Sequence, residues 1–245
     1  MDQGMKKERL DKILSSQNLG TRRDVGTLIR NGRVTVNGEV VRKSDFKADP
    51  EADSIALDGD LLTVKQHLYL MMNKPGGVLS ASRAPSARTV VDLLPHEWQR
   101  RGIFPAGRLD KDTEGLLILT DDGDFAHRML APKKHVVKWY EARLAAPVTA
   151  ADAEAFRTGV ELSDRTCLPA ELSVLQDGEH PLVSVKIHEG KFHQVKRMFL
   201  ARDNLVLALR RVRIGDLRLD ESLGMGEARE LNNNEIKSIF VDKSL

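Results

Sequence analysis

The residues best suited to chemistry lie in one stretch in the middle of the chain, residues 107–120. Three acids, Asp110, Asp112 and Glu114, stand at alternate positions between two glycines, and an apolar run follows them. Alternate residues of an extended backbone share one side, so we expect the three carboxylates to crowd together. Because like charges repel, such a cluster needs cations or water nearby, and Arg108 and Lys111 are adjacent in sequence.

This acidic cluster is compatible with several enzyme classes. A two-aspartate phosphatase would have its apolar strand before the acids and Thr or Val at the fifth position, where this chain has Glu114. A magnesium site on Asp110 and Asp112 would need further oxygen ligands, which the sequence does not indicate. The chain has no Walker or dinucleotide-binding pattern, and its 7 histidines lack zinc-type spacing. A single carboxylate acting without metal or cofactor is the simplest interpretation.

Composition is typical of a globular protein of the cytoplasm. With 245 residues, 41% of them hydrophobic and 30% charged, the chain can form one sizeable domain and a small one. No apolar run approaches the roughly 18 residues of a membrane span, and the charged residues 1–8 lack the core of a signal peptide. One cysteine, Cys167, excludes an internal disulfide framework. We expect a cytoplasmic protein with no membrane association.

Charge is unevenly distributed along the chain, although the net charge is only +2. Residues 1–47 contain 11 Lys and Arg against 6 Asp and Glu, whereas residues 48–60 contain five acids and no base. A second basic stretch, residues 186–213, has eight Lys and Arg against two acids. Clusters of this kind suit the binding of phosphates.

The first 60 residues predict a small module of two helices and a hairpin. Apolar residues have helical spacing in residues 10–14 and again in residues 25–29. Residues 21–24 have the pattern of a capping box, which begins a helix. Alternating residues then predict a strand, and Asn37-Gly38 is a strong hairpin signal.

This order of elements over residues 9–60 resembles the S4 RNA-binding domain. The likeness includes Leu-Asp-Lys at residues 10–12 and Gly-Arg-Val-Thr-Val-Asn-Gly at residues 32–38. It implies that the basic residues around these elements contact RNA, namely Arg9, Lys12, Arg22, Arg23, Arg30 and Arg33.

The rest of the chain predicts an α+β fold with a mixed, largely antiparallel sheet, because strands and helices follow one another without regular βαβ alternation. We expect the domains to be residues 5–62, S4-like, and residues 67–245, catalytic. Strands are predicted at residues 68–72, 116–120, 140–144, 172–175 and 182–187, and helices at residues 124–130, 149–156 and 191–201. Asp124 is expected to cap the first of these helices. In the last helix, Phe192, Val195 and Phe199 are expected in the core.

Four ordered motifs resemble the pseudouridine synthases of the RsuA family, which modify small-subunit (16S-type) ribosomal RNA. They are residues 73–77, 108–123, 138–141 and 187–199. With the S4-like module, the likeness spans about residues 9–239. The chain departs from the family pattern at Trp139, where threonine is frequent, and at residues 201–204, where a glycine-bearing turn is frequent.

The resemblance implies a role for each matching residue. Asp110 is expected to be the nucleophile, Tyr140 to stack on the target base, and Lys196 to pair with the aspartate. A nearby cation would keep the aspartate ionised. The other residues expected to bind substrate are Arg108, Ile187, Lys74, His193 and Gln194.

The activity implied is site-specific isomerisation of a uridine to pseudouridine in ribosomal RNA without a cofactor. We expect a monomer that acts on the RNA of an assembling small subunit. Large-subunit 23S RNA is an alternative target, although relatives that modify it often have Asn-Arg where this chain has Phe192-His193. The sequence is also compatible with a non-catalytic S4-type ribosome-binding protein or with a carboxylate-dependent phosphoryl-transfer enzyme.

Overall fold

The chain divides into two compact units, Met1–Leu68 and Tyr69–Leu245. The computed structural model describes residues 7–17, 19–131 and 136–240. The predicted domains, residues 5–62 and 67–245, correspond to these units, and their limits stay a prediction. Residues 5–6, 132–135 and 241–245 of those predicted domains lie outside the described residues, as does residue 18.

The first unit has the predicted order of two helices and a hairpin. Its elements are β1 (Glu8–Arg9), α1 (Leu10–Ser16), α2 (Arg22–Arg30), β2 (Val34–Val36), β3 (Glu39–Val40), β4 (Lys47–Ala48), β5 (Ile55–Leu57) and β6 (Asp60–Leu61). Four of the strands form a sheet in the order β3-β2-β5-β6, and β1 pairs with β4.

Local signals explain why these elements form where they do. The capping box at the start of α2 is present, with Thr21 and Asp24 each accepting from the other's backbone amide. Asn37 and Gly38 have φ of 52° and 83°, the left-handed conformation that a two-residue hairpin turn requires. The apolar residues that predicted the helices, including Leu10 and Ile29, are buried in one core or packed against it.

The second unit is built from a larger set of strands and helices. Its elements are β7 (Tyr69–Lys74), a 3-10 turn (Val91–Leu93), α3 (His96–Gln99), β8 (Phe104–Pro105), β9 (Glu114–Thr120), α4 (Gly123–Leu130), β10 (Lys138–Leu144), α5 (Ala150–Thr158), β11 (Glu161–Leu162), β12 (Arg165–Thr166), β13 (Glu171–Gln176), β14 (Leu182–Ile187), α6 (Gln194–Leu200), β15 (Val206–Ile214), β16 (Leu217–Arg218), β17 (Ala228–Glu230) and α7 (Asn233–Ser238). Among the described residues, no helix combines the length and the apolar character needed to cross a membrane.

A mixed, largely antiparallel sheet dominates the second unit, so the predicted α+β class is confirmed. Its strand order is β13-β14-β10-β15-β9-β7-β17, with β16 paired to β15 and β8 paired to β9. The pairing of β15 with β9 is parallel. Side chains of β9 are buried on both faces, from Leu116 to Leu119, as expected of a strand in the middle of a covered sheet.

Two helices begin at different residues from those predicted. Helix α4 follows Asp122 rather than Asp124, because the Asp122 carboxylate accepts from the amide of Phe125 (2.9 Å) and from the hydroxyl of Tyr69 (2.6 Å). Helix α6 begins at Gln194 rather than at residue 191, because His193 has a left-handed backbone, φ 48°.

The prediction that Phe192 lies in the core is wrong, whereas Val195 and Phe199 are buried as expected. Phe192 precedes helix α6 and is 73% exposed, so it does not share the apolar face of that helix. Phe199 packs against Phe156 of α5 with 4.9 Å between ring centroids. This contact fixes α6, which carries Lys196.

The turn at residues 201–204 forms without glycine. Asp203 takes the left-handed conformation, φ 55°, which aspartate tolerates better than most residues. The buried amide of Asn204 accepts from the backbone N–H of Ala146 (3.2 Å) and donates to its carbonyl (2.8 Å). The departure from the family pattern is therefore compensated by side-chain hydrogen bonds.

Strand β15 was not predicted from the sequence. It contains Arg210, Arg211 and Arg213, which belong to the basic stretch that in sequence suits phosphate binding. In the sheet, β15 lies between β10 and β9, and Arg211 is only 4% exposed.

The approach of β15 to β9 depends on Gly115. The parallel register pairs Gly115 with Arg211. Gly115 has φ +96°, and a Cβ built on it would lie 2.3 Å from the carbonyl oxygen of Arg211. A side chain would therefore meet both an unfavourable backbone conformation and a clash with backbone.

We predict that Gly115→Ala lowers the free energy of unfolding by about 2 kcal/mol or more, because a positive φ costs roughly 1–2 kcal/mol for alanine and the clash adds to that. Urea unfolding measures the change. Gly123→Ala is the control, since nothing lies within 4 Å of its added Cβ at the first residue of α4. It should leave stability unchanged or raise it by about 0.5–1 kcal/mol. Similar losses in both variants would contradict the prediction.

Candidate active site

Asp110 lies in the loop between β8 and β9, which a neighbouring loop holds in place. The hydroxyl of Ser80 donates to the carbonyl of Leu109 (2.8 Å) and accepts from the amide of Leu109 (3.0 Å). The amide of Thr113 donates to the carbonyl of Asp110 (3.1 Å). The backbone of residues 110–113 therefore turns, and the three acids do not meet through the extended geometry that their spacing suggested.

Lys74, at the end of β7, supports this loop from the interior. Its side chain is fully buried, and its ammonium donates to the carbonyls of Pro75 (2.9 Å), Lys111 (3.1 Å) and Thr113 (2.9 Å). Burial lowers the pKa of Lys74 to about 8, although the acids of the loop oppose this shift. An ammonium has three hydrogens to donate. We therefore assign Lys74 to supporting the loop, and not to the substrate contact that was predicted.

Two side chains from the region of α6 approach the carboxylate of Asp110. The ammonium of Lys196 lies 3.4 Å from Oδ2, and Nε2 of His193 lies 3.5 Å from Oδ1. The predicted pair of Asp110 and Lys196 therefore occurs in the structure. The Asp110 side chain keeps 24% exposure, so it can still reach a substrate.

Asp112 also pairs with Lys196. Lys196 Nζ donates to Asp112 Oδ1 over 2.5 Å, and this hydrogen bond lowers the pKa of the Asp112 carboxyl. Asp112 is 76% exposed and lies on the solvent side of the pair. In the part of the chain that the structure describes, no group of three or more His, Cys, Asp or Glu residues could hold a metal ion. Chemistry without a metal stays a prediction.

A cavity of about 120 Å³ opens beside Asp110. Six of the predicted site residues line it, namely Arg108, Asp110, Tyr140, Ile187, His193 and Gln194. Gln194 is buried, and its side-chain amide is engaged by Glu189 and by the backbone of Lys191. Arg108 is exposed and forms no ion pair among the described residues. Lys196 contacts Asp110 but does not line the cavity.

Tyr140 forms part of the cavity wall from the central strand β10. Alternation along β10 buries Tyr140, Ala142 and Leu144 on one face. Ile187, at the end of the neighbouring strand β14, is also buried. The ring and the aliphatic side chain together offer an apolar surface of the kind that can hold a planar base.

Phe192 and His193 form an exposed aromatic pair at this site. Their rings are stacked, with 3.8 Å between centroids and 15° between planes. The left-handed backbone of His193 ends the preceding loop, and Phe192 in that loop is exposed. The predicted helix at residues 191–201 includes Phe192, whereas the observed helix begins at Gln194.

Among the cavity residues that were not predicted as site residues are two cations carried by strands of the sheet. Arg211 of β15 and Lys138 of β10 both line the cavity. Lys138 donates to the carbonyl of Val136 (2.8 Å), and burial, with a contribution from the charge of Arg211, lowers its pKa to about 8. The sequence signals were the start of the motif at residues 138–141 and the basic stretch at residues 186–213, but neither indicated a buried cation.

The six basic residues predicted to bind RNA in the first unit fall into two groups. Arg9 pairs with Asp11 (2.7 Å), Lys12 pairs with Glu8 (3.0 Å), and Arg33 pairs with Asp58. The other three are exposed on α2 or its start and form no ion pair among the described residues; they are Arg22, Arg23 and Arg30.

The pKa of Lys74 predicts a pH-dependent stability. The pKa of Lys74 is lowered from its ordinary value of 10.5 to about 8 in the folded chain. Between these pH values the unfolded chain keeps a proton on Lys74 that the folded chain has lost, so the free energy of unfolding rises with pH. In Lys74→Met this contribution is absent. The free energy of unfolding of the wild type minus that of the variant should increase across this window by up to about 1.4 kcal/mol per pH unit.

Urea unfolding of both proteins at several pH values measures this difference. Lys138 also has a lowered pKa, but it is present in both proteins, so its contribution cancels. A difference that stays constant from pH 8 to pH 10.5 would contradict the assignment of a buried, titrating Lys74.

Comparison with known proteins shows which family the chain belongs to. The family model of RNA pseudouridylate synthase matches residues 68–201, and the S4 domain model matches residues 8–54. The chain is 44% identical over 238 residues to the ribosomal small subunit pseudouridine synthase A of Escherichia coli (strain K12), covering 94% of this chain and 99% of that protein. It is 41% identical over 230 residues to an uncharacterized RNA pseudouridine synthase, YtzG, of Bacillus subtilis (strain 168), covering 93% and 96%.

A solved structure extends the comparison to three dimensions. The crystal structure of a pseudouridylate synthase matches this chain with a TM-score of 0.67 at 38% identity, covering 95% of this chain and 99% of that one. The resemblance inferred from the motifs and the predicted enzyme class are both confirmed. The chain belongs to the RNA pseudouridylate synthase family and carries an S4 domain over residues 8–54.

Proposed function

We propose that this protein isomerises a specific uridine of small-subunit 16S ribosomal RNA to pseudouridine, with Asp110 as the nucleophile and without a cofactor. The observation that carries the proposal is that Asp110 and Tyr140 line one cavity while Lys196 pairs with Asp110 beside it, the three coming from separate elements. The reaction is proposed to occur in the cytoplasm, with a monomer acting on the RNA of an assembling small subunit.

The chemistry requires little beyond a carboxylate and a pocket for the base. The bond from C1′ to N1 breaks, the uracil turns, and a new bond forms from C1′ to C5. N1 gains a proton and C5 loses one, so the reaction involves no net oxidation or reduction. Asp110 can act by attacking the sugar or by removing a sugar proton, and both routes need it ionised. Lys196 places a positive charge 3.4 Å from the Asp110 carboxylate.

The cavity beside Asp110 suits a uridine that has left the RNA stack. A flipped base is commonly held between aromatic and apolar side chains, and here Tyr140 and Ile187 offer those surfaces. Arg108 is exposed beside the cavity, where a guanidinium can bind the phosphates of the displaced strand.

The small-subunit target is supported by the relatives of this chain. The similar Escherichia coli protein is named for the ribosomal small subunit, and the motif contains Phe192-His193 rather than the Asn-Arg frequent in large-subunit relatives. The S4 domain supplies a second contact with RNA, for which the unpaired arginines of α2 are the best suited.

We predict that Asp110→Asn loses pseudouridine formation by about a thousandfold or more, because an amide cannot replace the carboxylate as a nucleophile. RNA binding should persist. The test is to map pseudouridines in 16S and 23S ribosomal RNA from cells that lack the gene and carry either the wild type or the variant. One 16S uridine should be modified only with the wild type.

Asp112→Asn is the matched control for this experiment. The substitution removes the same charge from the same loop, and Asp112 also contacts Lys196. Because Asp112 lies on the exposed side of the pair, we expect pseudouridine formation to fall by no more than about tenfold. Full activity of Asp110→Asn would refute the nucleophile. A wild-type-dependent site found only in 23S ribosomal RNA would refute the small-subunit target.

We predict that replacing Arg22, Arg23 and Arg30 with glutamine weakens RNA binding and reduces its dependence on salt. Each phosphate contact of a cation contributes about 0.7–0.9 to the slope of log affinity against log salt, so the slope should fall by about 2. Binding to a 16S ribosomal RNA transcript at several salt concentrations measures this.

The control replaces the paired cations Arg9, Lys12 and Arg33 with glutamine. It removes the same charge from the same unit, but these side chains already neutralise acids of the protein, so the slope should change less. An equal change in both triple variants would contradict the assignment of the RNA contact to α2.

A further inference from the structure

Arg211 is a buried cation whose hydrogen bonds are incomplete. Its Nε donates to the carbonyl of Leu116 (2.8 Å), and Nη1 lies 3.5 Å from the hydroxyl of Tyr140. Its Nη2 is buried and has no hydrogen-bond partner. Among the described residues, no carboxylate lies within ion-pair distance of its guanidinium. Burying a cation with incomplete hydrogen bonds costs free energy. A bound ligand would supply the missing partner of Nη2.

The fold determines where this guanidinium lies. The sheet register places Arg211 opposite Tyr140 on one side and opposite Gly115 on the other. Strand β15 therefore brings Arg211 between the strand that carries the tyrosine and the strand that follows the Asp110 loop. Arg211 lines the same cavity as Asp110 and Tyr140.

A second cation adds to the positive charge of this wall. Lys138 also lines the cavity, and burial first, then the charge of Arg211, lowers its pKa. The acid that opposes this effect is Glu189, whose carboxylate already accepts from Gln194 and from the amide of Leu168. The wall therefore suits a ligand that carries or develops negative charge.

The proposed reaction generates such a ligand. When the bond from C1′ to N1 breaks, its electron pair leaves with the uracil, and the negative charge spreads over N1 and the two carbonyl oxygens of the ring. Donors held in a buried site stabilise developing charge of this kind strongly. A planar guanidinium also matches the edge of a planar base in geometry.

We infer that Arg211 is a catalytic residue that donates from Nη2 to a carbonyl oxygen of the uracil and stabilises the base as it leaves C1′. Lys138 adds positive charge to the same wall. Arg211 keeps the freed uracil in the cavity while it turns; the electron pair then returns from C5 to C1′, and the proton that C5 loses balances the proton that N1 gains. This inference rests on the proposed function.

The test compares Arg211→Gln with the wild type on two substrates that differ in the leaving group. A 16S ribosomal RNA transcript is made with uridine or with 5-fluorouridine. Fluorine withdraws electrons and makes the uracil a better leaving group, so its departure needs less help. Single-turnover rates of loss of the original nucleotide are measured by nuclease digestion and chromatography.

We expect Arg211→Gln to slow the uridine reaction by about a hundredfold or more, in the range found for removal of one oxyanion donor. The loss on fluorouridine should be at least about tenfold smaller. A role limited to packing or to RNA binding would reduce both rates by the same factor, and that result would overturn the inference.

Two further variants keep the comparison sound. Arg213→Gln changes another arginine of β15, which pairs with Asp216 and lies over Trp139, and any loss should be equal on the two substrates. Arg211→Lys keeps the charge. If Arg211→Gln does not fold, Arg211→Lys takes its place in the comparison, and its loss of rate on uridine should still exceed its loss on fluorouridine, by a smaller factor than expected for Arg211→Gln. A wild type that converts neither substrate would refute the proposed function itself, which is a separate outcome.

Discussion

The parallel pairing of β9 with β15 is the constraint on which the site depends. At Gly115 the two backbones approach so closely that a Cβ has no room, and this contact brings distant parts of the chain together. The loop that carries Asp110 leads directly into β9, while β15 carries Arg211 and pairs with the strand of Tyr140 on its other side. A glycine in the sequence motif is therefore a packing requirement of the sheet.

Electrostatic balance around the acidic loop comes from cations supplied by other elements. Lys74 of β7 binds the carbonyls of the loop from the interior, while Lys196 of α6 meets the carboxylates of Asp110 and Asp112 from the other direction. The two lysines differ in their surroundings, because one is fully buried and the other remains partly accessible. The loop is thus held by its backbone, and its side chains remain available for chemistry.

The S4 domain illustrates how a count of charges differs from the charge available to a ligand. Its basic residues exceed its acids in sequence, yet half of the six predicted RNA contacts are engaged with acids of the same unit. Exposed ion pairs of this kind contribute little to stability, but they reduce the attraction for phosphates. The other three, for which the described residues provide no ion pair, lie on α2, whose capping box determines where that helix begins.

The sequence by itself determined the parts that depend on neighbours along the chain: the capping box at residues 21–24, the hairpin at Asn37-Gly38, the buried strand after the acids and the motifs that identified the family. Only the tertiary structure decided that Lys74 is buried beneath the loop, that Phe192 is exposed, and that Arg211 lies in the cavity wall. The physical reason is that the burial of a charged or aromatic side chain depends on what the sheet packs beside it. A run of arginines has the same local pattern on a solvated surface as in the centre of a sheet, and the pairing of β15 with β9 and β10 distinguishes the two.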